Sequence, residues 1–177
     1  DGNGSFPNPI AFQPGISGEW SIQADDLNGD GIFDIVIGGS SQVRVMLGTG
    51  NATFTTHSTV SAPARCWQMN LGDADGDGDV DVFVVCTFTD EAVLYKNTGN
   101  GALASGVAYP TDSFPLATDV GDMDGDGDLD WIISSYLGDW YFYVNDGNGN
   151  FTFQEEFLAP IAASCAVMMD VDNDGDL

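Results

Sequence analysis

A nine-residue acidic pattern, D-x-[DN]-x-D-G-x-x-D, returns at almost constant intervals along the chain. It reads Asp26-Leu-Asn-Gly-Asp-Gly-Ile-Phe-Asp34, Asp73-Ala-Asp-Gly-Asp-Gly-Asp-Val-Asp81 and Asp122-Met-Asp-Gly-Asp-Gly-Asp-Leu-Asp130, then Asp170-Val-Asp-Asn-Asp-Gly-Asp-Leu177, with first residues 47, 49 and 48 apart. A second landmark keeps the same beat, because Gly4-Ser5-Phe6, Ala52-Thr53-Phe54, Gly101-Ala102-Leu103 and Gly149-Asn150-Phe151 recur at steps of 48, 49 and 48. Two registers in phase over the whole chain mean a repeat architecture.

Within one period the chain reads as four short strands. β-Branched or aromatic runs follow each acidic loop: Ile35-Val36-Ile37, Val82-Phe83-Val84-Val85 and Trp131-Ile132-Ile133. A third strand comes next (Val43 to Leu47, Val93 to Tyr95, Trp140 to Val144), then a Gly/Asn turn and a weaker outer strand such as Phe151-Thr152-Phe153-Gln154. The strand before each loop is seen in Trp20 to Ala24 and Cys66 to Leu71. The central runs are continuously apolar rather than alternating, which predicts burial on both faces. Four strands in about 48 residues match a propeller blade, so the expected fold is all-β, with blades of four antiparallel strands. Three blades are whole, over 16–62, 63–111 and 112–160, with partial blades at 1–15 and 161–177. Such a chain is either part of a larger propeller or is completed by other copies.

Positions 1, 3, 5 and 9 of each loop offer side-chain oxygens, and position 7 offers a backbone carbonyl. Hard oxygens in a tight loop suit calcium. Gly31, Gly78, Gly127 and Gly175 hold the sixth position, where the sharp turn calls for positive φ. An EF-hand is excluded because position 12 is Ile37, Val84 or Ile133, each on a strand, instead of a bidentate Glu.

The spacing, the strand after the loop and the run Asp34-Ile-Val-Ile-Gly-Gly-Ser40 resemble the FG-GAP/VCBS repeats of integrin α-chain propellers and secreted lectin-like propellers. The Phe-Gly and Gly-Ala-Pro signatures are absent, which favours the VCBS-like branch. Carried over by motif position, the resemblance implies a first calcium site from Asp26, Asn28, Asp30, Ile32 (carbonyl) and Asp34, and a second from Asp73, Asp75, Asp77, Asp79 (carbonyl) and Asp81. It implies a third from Asp122, Asp124, Asp126, Asp128 (carbonyl) and Asp130. The fourth, truncated before its ninth residue, has Asp170, Asp172, Asp174 and Asp176. Extracellular modules of this kind bind with dissociation constants of about 0.1 to 1 mM, and millimolar calcium then adds about 0.4 to 1.4 kcal/mol per site.

Charge narrows the partners. Three basic residues, Arg44, Arg65 and Lys96, against 28 acidic ones give a net charge of −25, which repels phosphate backbones and anionic membranes. No apolar stretch reaches the length of a membrane-spanning helix. Cys66 and Cys86 flank the second loop at offsets that put them opposite each other, which predicts a disulfide, while Cys165 has no evident partner in the chain. Sequons at Asn3, Asn51 and Asn150 mark candidate glycosylation turns. Catalysis finds little support, since the single histidine, His57, has no patterned Ser or Cys partner.

The expected function is therefore an extracellular adhesion or recognition module for carbohydrate or a surface protein. Trp67, Trp131, Trp140, Tyr136 and Tyr141 are candidates for stacking on sugars, with core packing as the competing role for each. Two alternatives remain open: a structural repeat of a fibre or cell-surface coat, and the non-catalytic part of a secreted polysaccharide-degrading enzyme.

Overall fold

The computed structural model describes residues 11–158, 164–165 and 167–170. Twelve strands form three four-stranded antiparallel sheets, each in sequence order. The first holds Ser21–Asp25 (β1), Asp34–Gly38 (β2), Gln42–Gly48 (β3) and Phe54–Ser61 (β4). The second holds Arg65–Gly72 (β5), Asp81–Thr87 (β6), Glu91–Tyr95 (β7) and Val107–Pro110 (β8). Pro115–Gly121 (β9), Asp130–Ser135 (β10), Trp140–Asn145 (β11) and Phe151–Phe157 (β12) make the third. This is the all-β, four-stranded blade architecture that the repeat predicts. The sheets do not close into a ring. Among the described residues there is no helix long and apolar enough to cross a membrane.

Strand β6 shows why the central runs are apolar at every residue. Val82, Val84 and Cys86 enter one core, shared with Val36, Val45 and Met69 of the first two sheets. Phe83 and Val85 point the other way, into a core with Trp131, Ile133 and Tyr143 of the third sheet. Alternate side chains of one strand thus serve two different interfaces, and no residue of β6 faces water. Trp131 is fully buried, with its ring edge-on to Phe83, Tyr109 and Phe151 at 5.0 to 5.7 Å.

The first strands of successive sheets run beside one another. Gln23 donates from Nε2 to the Met69 carbonyl (2.9 Å), and Asn70 from Nδ2 to Asp119 Oδ1 (2.9 Å). Their proximity makes β1, β5 and β9 the inner strands, with β4, β8 and β12 outermost and largely exposed. All three described acidic loops join an inner strand to the next, so they gather at one end of the sheets. One expectation shifts: Gly101-Ala102-Leu103 does not lead straight into the outer strand of its blade. Leu103 makes an isolated bridge with Asn97, and the strand starts only at Val107. Gly106, just before that strand, lets the chain pass close over β7, since a Cβ there would lie 2.5 Å from Val93 Cγ1.

Candidate metal-binding loops

The three described loops repeat one hydrogen-bonding scheme, in which the carboxylates hold the backbone before any ion is considered. The first Asp accepts from the N–H of the fourth and sixth residues. For Asp26 these bonds come from Gly29 (2.8 Å) and Gly31 (2.7 Å), for Asp73 from Gly76 (2.8 Å) and Gly78 (2.9 Å), and for Asp122 from Gly125 (2.8 Å) and Gly127 (2.9 Å). These bonds hold Asp26 below the usual carboxylate range, the Gly31 N–H contributing most. Gly31, Gly78 and Gly127 have φ of 81°, 91° and 97°, the conformation expected of the sixth position.

The ninth residue closes the loop. Asp34, Asp81 and Asp130 are buried, and each spans two backbone donors. One oxygen accepts from the second residue of its own loop: Leu27 at 3.0 Å, Ala74 at 3.0 Å and Met123 at 2.9 Å. The other accepts from a residue at or just past the end of the third strand: Gly48 at 2.7 Å, Asn97 at 2.7 Å and Asn145 at 3.0 Å. Burial pushes the Asp81 carboxyl up to about 6 against these two bonds, with Asp75 and Asp77 adding repulsion.

Two loops bring their carboxylates together. Asp73, Asp75 and Asp81 each place an oxygen within 4.8 Å of the others, as do Asp122, Asp124 and Asp130. Among the described residues these are the two groups that converge so closely, and either could hold a metal ion. Asp75 Oδ1 is buried and has no hydrogen-bond partner, the condition of an acceptor waiting for a cation. Oxygen-only donors in this number fit a hard divalent ion. Asp77, Asp79, Asp126 and Asp128 lie in the same loops outside the converging sets. In the first loop the third position is Asn28, so the equivalent set there has two carboxylates, Asp26 and Asp34, with an amide oxygen between them. Of the fourth set only Asp170 lies among the described residues; Asp172, Asp174 and Asp176 lie outside them.

The site contains residues that the nine-residue pattern does not include. Asn97 Nδ2 donates to the Leu27 carbonyl of the preceding blade's loop (2.8 Å) and to Val80 of its own (3.2 Å). Asn145 repeats this with Ala74 (2.8 Å) and Leu129 (3.1 Å). The first and second loops are therefore pinned from the next blade. The available signal was the in-phase run Asn97-Thr-Gly-Asn-Gly101 and Asn145-Asp-Gly-Asn-Gly149. The Tyr95 hydroxyl adds a similar bridge to the Ser61 carbonyl (3.0 Å), and the Tyr143 hydroxyl donates to Pro110.

A model of the FG-GAP-like repeat matches residues 26–84 and 122–177, each segment opening on the first Asp of a loop. The chain belongs to the FG-GAP-like repeat family. A solved structure of an Agrocybe aegerita lectin, described as recognising non-reducing terminal N-acetylglucosamine, shares the fold at a TM-score of 0.57 and 24% identity. The match covers 76% of this chain and 37% of that one, so the FG-GAP-like chain spans little more than a third of the lectin's length. No curated protein matches it.

The opposite end of this FG-GAP-like array is aromatic. Trp20 and Trp67 stack at 5.5 Å with 19° between their planes, and the Arg65 guanidinium lies 4.0 Å from the Trp20 ring centre and 5.1 Å from that of Phe88. Beside Trp20 a cleft of about 230 Å³ is lined by Phe12, Pro14, Glu19, Ser21, Ile22 and Ile37. Tyr136 is exposed at the same end and packs on Phe114; Trp140 and Tyr141 are half-buried on β11, and Trp131 is core.

The expected disulfide is not formed. Cys66 and Cys86 are cross-strand partners, as their offsets imply, but both are free, buried thiols. Cys66 Sγ points to the carbonyls of Gln42 (3.6 Å) and Ala64 (3.8 Å), and a β-bulge breaks the register between Cys66 and Gln68. The hydrogen bond from Cys66, with burial, pushes the Cys86 thiol well above its ordinary range; little thiolate is then present for oxidation. Cys165 is exposed. Asn51 and Asn150 sit in exposed turns, and Asn3 lies outside the described residues.

Proposed function

We propose that this chain is an extracellular, calcium-stabilised propeller module that recognises neutral carbohydrate at its aromatic end and catalyses no reaction. The observation that carries the recognition reading is the stacked Trp20–Trp67 pair. These rings are 44% and 38% exposed although each could bury a large apolar area, and Arg65 fixes the orientation of Trp20. A pyranose presents apolar C–H faces that stack on an indole, and hydroxyls that pair with acceptors such as the Glu19 carboxylate in the adjoining cleft. At a net charge of −25 a neutral sugar meets no repulsion, whereas an anionic one does. The fold shared with a lectin supports the same direction.

Calcium is supported by the converging oxygen sets and the orphaned Asp75 Oδ1. Weak sites of this class fill at the millimolar calcium found outside cells. The test is a glycan array in millimolar calcium with the native chain and with Trp67→Ala. The expected outcome is binding to one or more neutral glycans, reduced on the order of tenfold or more by the substitution while the melting temperature is kept. No binding to any glycan by the native chain sinks the carbohydrate reading.

A further inference from the structure

The second and third loops carry the same five aspartates at positions 1, 3, 5, 7 and 9, yet their third positions behave differently. Asp124 Oδ1 accepts from the Asp126 N–H at 3.2 Å, and in the first loop Asn28 Oδ1 likewise accepts from Asp30 at 3.0 Å. Asp75 makes no such bond: one oxygen is orphaned, and the other lies 3.0 Å from Lys96 Nζ. Lys96 is the chain's single lysine, and it follows β7 directly, at the position held by Leu47 in the first blade and Val144 in the third. Its ammonium also donates to the Asn148 carbonyl of the next blade (2.6 Å). The route exists because Gly149 has no side chain, since a Cβ there would lie 2.6 Å from Lys96 Cε. The ion pair is partly sheltered, with Lys96 31% and Asp75 20% exposed.

We infer that Lys96 is a tethered counter-ion that occupies Asp75 until calcium displaces it, making the second loop a weaker calcium site than the third. The inference rests on the calcium reading above. A calcium ion held by Asp75 must share that carboxylate with a fixed positive charge or expel it from two partners, whereas Asp124 has no cation to displace. The aspartates of the two loops are identical, so the charges that differ are Lys96 at the second and Asp146 beside Asp128 at the third, where Thr98 stands in the second blade, and both favour a cation at the third. The consequence is graded filling, with the third loop loading first and the second responding only at higher calcium.

The experiment is a calcium titration of the full, nitrogen-15-labelled chain, following the amide resonances of Gly78 and Gly127, the sixth residues of the two loops. In the native protein the Gly78 midpoint is expected at a calcium concentration on the order of tenfold above that of Gly127. Lys96→Met should bring the Gly78 midpoint down towards the Gly127 value and leave Gly127 unmoved. Lys96→Gln, which keeps a polar reach without charge, should do the same and serves if the Met variant folds poorly. Equal midpoints in the native chain, or a Gly78 midpoint that neither variant moves, overturn the inference while leaving calcium binding intact. No calcium response at either glycine removes the metal reading and this inference together.

Discussion

Replacing Asn145 by Ala tests whether the blades are joined through their acidic loops. The side chain is buried and makes three hydrogen bonds: to the Ala74 carbonyl at 2.8 Å, to the Leu129 carbonyl at 3.1 Å, and from the Gly149 N–H to Oδ1 at 3.1 Å. At about 1 kcal/mol net for each bond, the loss comes to about 3 kcal/mol. For a chain of this size that lowers the melting temperature by about 6–12 °C. Urea unfolding followed by circular dichroism reads the same quantity directly. The exposed neighbour Asn148, mutated to Ala, should shift stability by no more than about 0.5 kcal/mol. Asn97→Ala should match Asn145→Ala, because its bonds to Leu27, Val80 and Gly101 repeat the set. None of these contacts involves an ion, so the loss should persist in excess EDTA. A cost below about 1 kcal/mol, or one that vanishes without calcium, would refute the reasoning.

Trp131→Ala removes the largest fully buried side chain among the described residues and should cost about 3–5 kcal/mol in urea unfolding, whereas Trp67→Ala should leave the unfolding midpoint nearly unchanged. Gly78→Ala meets no neighbour within 4 Å, so its cost is backbone strain alone at φ 91°, about 1–2 kcal/mol by thermal melting; an unchanged melting temperature would show the turn to be relaxed. Asp81 has a folded pKa raised to about 6 from 3.8, so between those values the folded chain binds more protons than the unfolded one. Its contribution to stability is present below that window and is lost as pH rises through it, and in excess EDTA the native chain should lose stability from about pH 4 to pH 6 more steeply than Asp81→Asn. Equal slopes for the two proteins would dismiss the raised pKa.

Much of the fold was legible because the repeat is written in residues whose physical demands are local. Asp26, Asp73 and Asp122 organise their own loops, and the positive φ at Gly31, Gly78 and Gly127 follows from a turn that begins and ends within nine residues. The unbroken apolar run Val82 to Val85 announced two buried faces without saying which residue served which. What joins the blades was not legible, since Asn97 and Asn145 find their acceptors 70 and 71 residues earlier. No local rule connects a strand-end asparagine to a carbonyl that far away. The opposition of Cys66 and Cys86 could be counted from strand offsets, but the state of the thiols depended on the bulge beside Cys66 and on nearby carbonyls. Lys96 carried no pattern at all, because a single lysine has no periodicity.

The asparagine joints are made of a side chain on one blade and main-chain carbonyls on the other. A carbonyl oxygen is supplied by any residue, and the two acceptors in the preceding loops belong to residues as different as Leu27 and Ala74. The joint is therefore blind to sequence on its accepting side. As far as this joint is concerned, a unit can be exchanged without a compensating change in the neighbour's loop, provided the incoming one brings its own asparagine; the apolar cores between blades still have to match. The first blade shows where that freedom stops: Gly48 stands in the asparagine's place, and a Cβ there would lie 2.3 Å from the Phe33 carbonyl oxygen. Modularity of this array is thus directional: any blade can offer the carbonyl to a successor, but only one that carries the asparagine can fasten itself to what comes before.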